Sequence, residues 1–90
     1  MIDIVKVVKV DLAGDHRLRI RFSDGMEGER DFSDILLAGG PMVEPLKDRA
    51  YFGRVFIELG ALTWPNGFDL DSIALHDEMR ASGSLRRSAA

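Results

Sequence analysis

A chain of 90 residues, 46% apolar and 30% charged, reads as one soluble domain with a thin stability margin. Having no cysteine, it excludes disulfides, thiolate zinc sites and thiol nucleophiles. Twelve basic against 15 acidic residues leave a net charge of −3, which argues against nucleic acid as a partner.

No apolar run approaches the roughly 20 residues of a membrane span. The start, Met1-Ile2-Asp3-Ile4-Val5-Lys6, lacks a basic region followed by an apolar stretch of secretory length. The expectation is a cytoplasmic domain with no membrane association.

Ile2 to Leu12 is rich in β-branched residues and predicts a strand. Its even positions are apolar except for Lys6, while Val5 and Val7 lie on the other face. Either both faces are partly covered or a bulge near Lys6 switches the register. Ala13-Gly14-Asp15-His16 predicts a turn.

From Arg17 onward, Leu18, Ile20 and Phe22 alternate with Arg17, Arg19 and Arg21, the pattern of a strand with one buried face. Glu27, Glu29 and Asp31 alternate beyond Ser23-Asp24-Gly25. A two-residue turn at Asp24-Gly25 would set these acids against core residues. A three-residue loop instead pairs Arg21 with Glu27, Arg19 with Glu29 and Arg17 with Asp31, and puts Gly25 where a left-handed residue is needed. Arg30 then turns toward the apolar face beside Leu18. Neutralised in this way, the arginine stripe is a solvated ion-paired face rather than a phosphate surface.

Ser33 is the expected N-cap of a helix over 34–38, stopped by Gly39-Gly40-Pro41. That Gly-Gly lacks the preceding strand and the following Lys-Ser/Thr of a phosphate loop. Residues 42–47 read as an irregular linker. Asp48 is placed to cap a short helix through Phe52, ended by Gly53.

Arg54 to Leu59 predicts a strand that returns through Gly60-Ala61 into Leu62-Thr63-Trp64, setting Glu58 against Thr63 and Ile57 against Trp64. Pro65-Asn66-Gly67 is a turn, and Asp69 or Asp71 caps a last helix to about Met79 with Leu70, Ile73, Leu75 and Met79 inward. Residues 81–90 are expected to be a disordered tail, so the domain is assigned to 1–80. The fold class is α+β: a compact two-layer sandwich with an antiparallel sheet of about five strands, from two hairpins plus the N-terminal strand, and two or three short helices.

The chemistry-bearing residues form no recognised constellation. Asp69, Asp71, His76, Asp77 and Glu78 are dense, but a calcium loop fails at Ile73 and has no glycine at its sixth position. No serine sits in a nucleophile elbow. Catalytic, cofactor and metal residues are therefore expected to be absent. The candidate interaction surface is Trp64, Pro65, Asn66, Phe68 and Asp69 with Arg86 and Arg87, although Trp64 also suits the core.

Taken in order, Phe22-Ser23-Asp24-Gly25, Asp31-Phe32-Ser33-Asp34-Ile35-Leu36, Leu46-Lys47-Asp48, Tyr51-Phe52 with Val55, and Trp64-Pro65-Asn66-Gly67-Phe68-Asp69-Leu70 resemble the small bacterial proteins of domain of unknown function 2442. Phe68 departs from the small residue usual there. The resemblance implies a two-layer α+β fold and a gene beside that of another small protein, in pairs that look like toxin–antitoxin modules. It supplies no enzymatic residues.

The expected role is a non-catalytic protein-interaction module, antitoxin-like or accessory, binding a small protein encoded nearby through a sheet edge, the 64–70 turn or the tail. Homo-oligomerisation is a further expectation. One alternative is a DNA-binding module using the basic tail, with Arg80, Arg86 and Arg87 on phosphates. Another is a small enzyme or ligand-binding domain built on His16 or His76.

Overall fold

A computed structural model describes residues 4–88. Its elements are β1 (Val7–Gly14), β2 (Arg17–Phe22), β3 (Met26–Asp31), α1 (Ser33–Ala38), a 3-10 turn over Glu44–Lys47, α2 (Arg49–Phe52), β4 (Phe56–Glu58), β5 (Ala61–Thr63), β6 (Asp69–Leu70), α3 (Ser72–Ala81) and β7 (Arg86–Arg87). The fold is α+β, with two antiparallel sheets of order β1-β2-β3-β7 and β4-β5-β6.

The β2–β3 hairpin has the expected register. Arg17 pairs with Asp31, Arg19 with Glu29, Arg21 with Glu27, and Leu18 with Arg30. Gly25 takes φ +87 at the loop position that requires it. The alternation is carried through packing: Leu18, Ile20 and Phe22 are buried, while Arg19 meets Glu29 at 2.5 Å and Arg21 meets Glu27 at 3.1 Å on the outer face.

β1 follows the second of its two expected forms, a bulge that switches the register close to Lys6. Its register shifts between Val7 and Lys9 and again between Leu12 and Gly14. The first shift turns Val7 into the core, opposite Phe22, and leaves Ile4, Val8 and Leu12 more than half exposed. Ile2 and Asp3 lie outside the described residues.

Two local expectations are corrected and a third, left between two residues, is resolved. Ser33 is the first residue of α1 and makes no capping bond from the N-cap position; Asp31 Oδ1 accepts from both its amide and its hydroxyl. The second hairpin turns at Leu59-Gly60, pairing Glu58 with Ala61 and Ile57 with Leu62. Both loop residues have positive φ, +52 and +81, the geometry whose twist matches antiparallel strands. Asp69 enters β6 opposite Thr63, so Asp71 alone caps α3, accepting from the Ala74 amide at 3.0 Å.

The inward face of α3 is Ser72, Leu75, His76 and Met79, spaced as successive turns of a helix require. Ile73, expected inward, faces outward. Beyond α3 the segment expected as a tail turns back onto the sheet and carries β7. Gly83 turns it at φ +77, Leu85 packs on the core, and Arg86 and Arg87 pair with Glu27 and Met26. Gly28 makes this return feasible, since a Cβ on it would stand 2.1 Å from the Ser84 carbonyl oxygen. Ala89 and Ala90 lie outside the described residues.

Candidate functional site

Three groups of polar side chains and one sheet edge are the places where this fold could act. The first group joins the β2–β3 loop to α3. His76 Nε2 lies 2.8 Å from Asp24 Oδ2, and the ring meets Phe22 edge-on at 4.9 Å. Burial pushes the Asp24 carboxyl up, but the Met26 amide and the His76 ring outweigh it and hold the group below its ordinary value. A carboxylate-held imidazole is one part of a proton-transfer site. Among the described residues, however, no hydroxyl hydrogen-bonds its other nitrogen, which lies 4.0 Å from Asp77 Oδ1. The contact joins the β2–β3 loop to α3.

The second group is centred on Arg30, the residue the hairpin register turns inward. Its guanidinium binds Asp34 at 3.1 Å, binds Glu78, and lies 4.8 Å from the centre of the Phe32 ring. Burial pushes Arg30 down, but Glu78 and Asp34 outweigh that and raise it above its ordinary value. Both cationic ends of the fork are thus satisfied within the chain, linking β3, α1 and α3.

The third group borders a groove of about 580 Å³ between the β1–β2 turn and α2, lined in part by Leu12, Asp15, His16 and Arg49. Asp15 pairs with Arg49 at 2.8 Å, and His16 packs edge-on against Phe52 at 5.0 Å. Its Nε2 is buried and makes no hydrogen bond. Among the described residues, no three or more His, Asp or Glu side chains converge as a metal site.

The residues expected as an interaction surface divide between the two sheets. Trp64 is fully buried and leaves that surface, because its indole packs against Phe32, Phe52 and Phe68 and its Nε1 donates to the Phe52 carbonyl at 2.9 Å. Asn66 is used internally: its amide nitrogen donates to the Met42 carbonyl and its Oδ1 accepts from the Phe68 amide. Phe68 is half-buried, and Pro65 and Asp69 remain exposed. Arg86 and Arg87 are exposed too, but stand in β7 beside β3, where Arg86 lies opposite Glu27. An acid next to the tail cations weakens them as a phosphate-binding pair.

The sheet edge is the feature that residue-by-residue reading placed least well. β1 is terminal in its sheet, and Val7 donates to the Gly60 carbonyl at 2.8 Å on the far side. Beyond Val7 that side faces β4 and β5, which lie alongside β1, and Leu12 approaches Gly53, while Val8 and Leu12 stay more than half exposed. Leu59 at the β4–β5 turn is 96% exposed, so the apolar surface continues past the strand. The alternating apolar residues of β1 signalled a strand; only the tertiary structure showed that it ends its sheet and is flanked by β4 and β5.

No helix among the described residues is long and apolar enough to cross a membrane. No curated protein and no solved structure matches the chain. The family described as "Protein of unknown function (DUF2442)" matches residues 7–81, and the chain belongs to that family.

Proposed function

We propose that this chain is a non-catalytic protein-interaction module of the cytoplasm. In this reading it is the antitoxin-like or accessory member of a set whose other member is a small protein encoded beside it. One observation carries the reading: the terminal strand β1 leaves apolar Val8 and Leu12 more than half exposed, and Leu59 at the β4–β5 turn is almost fully exposed. Exposed apolar side chains gathered at one edge of a small domain are what a protein partner covers.

Of the three surfaces expected from the sequence, the edge is favoured. The 64–70 turn commits Trp64 and Asn66 to internal contacts, and the tail strand is already paired with β3. Co-expression with the product of the adjacent gene, followed by size-exclusion chromatography, tests the proposal. The expected result is one peak containing both chains; separate elution at micromolar concentration overturns it.

A further inference from the structure

We propose that Asn66-Gly67 is a deamidation site that the fold holds closed, so that Asn66 converts to aspartate or isoaspartate through molecules whose 64–68 turn has opened. This chemistry is independent of the β1 surface that carries the interaction proposal.

The reactive pair is set by the sequence. When glycine follows asparagine, the next backbone nitrogen reaches the side-chain carbonyl carbon with no Cβ in the way. Asn66 is also the only carboxamide side chain of the chain, which contains no glutamine and no second asparagine. In the reaction the Gly67 amide gives its proton to a solvent base, and its nitrogen bonds to Asn66 Cγ. The Cγ–Nδ2 bond then breaks, and Nδ2 leaves as ammonia with a proton taken from water. Water opens the resulting succinimide ring at either carbonyl, giving aspartate or isoaspartate with no change of oxidation state.

Solvent reaches the pair, since Gly67 is exposed and Asn66 half-buried. What the fold withholds is freedom of the reacting atoms. The Gly67 nitrogen, the nucleophile, donates to the Trp64 carbonyl at 2.9 Å. The leaving nitrogen Nδ2 donates to the Met42 carbonyl at 2.9 Å, and Oδ1 accepts from the Phe68 amide at 3.1 Å. Attack requires Gly67 to lose the proton it shares and the carboxamide to turn its carbon toward that nitrogen. All three hydrogen bonds are lost on the way, and each loss costs stability.

The turn opens only with the core beneath it. The Trp64 amide donates to the Phe68 carbonyl at 2.9 Å, and the Trp64 indole is fully buried against Phe52 and Phe68. Conversion then impedes closing. Aspartate has no Nδ2 donor for the Met42 carbonyl, and isoaspartate adds a backbone carbon to a turn where Gly67 already takes φ +90.

Intact-mass spectrometry at mildly alkaline pH tests the site, comparing the full chain in native buffer with the same chain unfolded in guanidinium chloride. Because the chain has a single carboxamide, the mass gain of amide-to-acid conversion reports Asn66 alone. The unfolded chain should convert at least about tenfold faster than the folded one, the ratio that an opening cost of about 1.4 kcal/mol implies. Asn66→Gln should keep its mass in both conditions. Trp64→Phe, shown by circular dichroism to be folded, should convert faster than wild type in native buffer. An unfolded wild-type chain that keeps its mass overturns the site, as does a mass gain in Asn66→Gln. Equal rates folded and unfolded, or a Trp64→Phe rate equal to wild type, overturn the gating.

Discussion

The indole of Trp64 donates from Nε1 to the backbone carbonyl of Phe52, and this bond fastens the end of β5 to the last residue of α2. Both groups are buried, so neither has water as a substitute partner.

Replacing Trp64 with Phe keeps most of the apolar body and removes the donor. The Phe52 carbonyl is then buried without its partner, at a cost of about 1–3 kcal/mol, and the smaller ring leaves a void beside Phe32 and Phe68. In a domain of this length the melting temperature should fall by about 4 °C or more. A thermal scan of Trp64→Phe showing no shift would remove this bond from the account of stability.

The His76–Asp24 contact joins residues far apart in sequence and should be visible in a double-mutant cycle. His76→Leu and Asp24→Asn each break the contact, and Asn at position 24 retains an oxygen for the Met26 amide. A coupling of about 0.5–1 kcal/mol is expected, modest because Asp24 is partly accessible to solvent. Strictly additive urea midpoints would mean that the two side chains are merely adjacent.

Acid should unfold the protein through several carboxylates at once. Hydrogen bonds from Ser88 and Arg21 lower Glu27, and a bond from Arg19 lowers Glu29. Ser33 lowers Asp31 through its hydroxyl and amide; for Asp34, burial acts upward but Arg30 outweighs it. Each folded value lies below the ordinary 4.5 of Glu or 3.8 of Asp, so the folded state binds fewer protons in this range. Their stabilisation is complete above the ordinary values and disappears as pH falls through the folded ones. Urea midpoints should therefore be level between about pH 7 and 5 and decline below about pH 4. Level midpoints down to about pH 3 would contradict this.

Gly28→Ala tests whether the C-terminal return is part of the fold. The new Cβ would fall on the Ser84 carbonyl, which is held in place by the bond from the Ser84 amide to Met79. Either β7 leaves β3 or the strand shifts, costing about 1–3 kcal/mol. Hydrogen exchange should show the Ser88 amide, which donates to Gly25 at 2.7 Å, losing protection first. An unchanged melting temperature with a protected Ser88 amide would refute the crowding at this position.

Legibility followed the range of the interaction. The β2–β3 register could be read because charge alternation on two adjacent strands admits one neutralising pairing, joined by a loop of three residues. The Asp48 and Asp71 caps could be read because a cap contacts amides two or three residues away. The turn at Leu59-Gly60 could not: Gly60-Ala61 is the better local candidate by composition, and the actual register places non-glycine Leu59 at positive φ. The candidate site was legible only in its parts. Arg30 was marked as turned inward, but its partner Glu78 lies 48 residues away.

By itself the sequence determined the family, the α+β class, the first hairpin and its ion-paired face, because these depend on periodicity and on residues close along the chain. Tertiary structure alone decided that Trp64 is core, that residues 84–88 return to β3, and that β1 ends its sheet. Each of these depends on which distant segments meet. Burial and strand order are properties of that meeting, and local patterns of polarity constrain them only weakly.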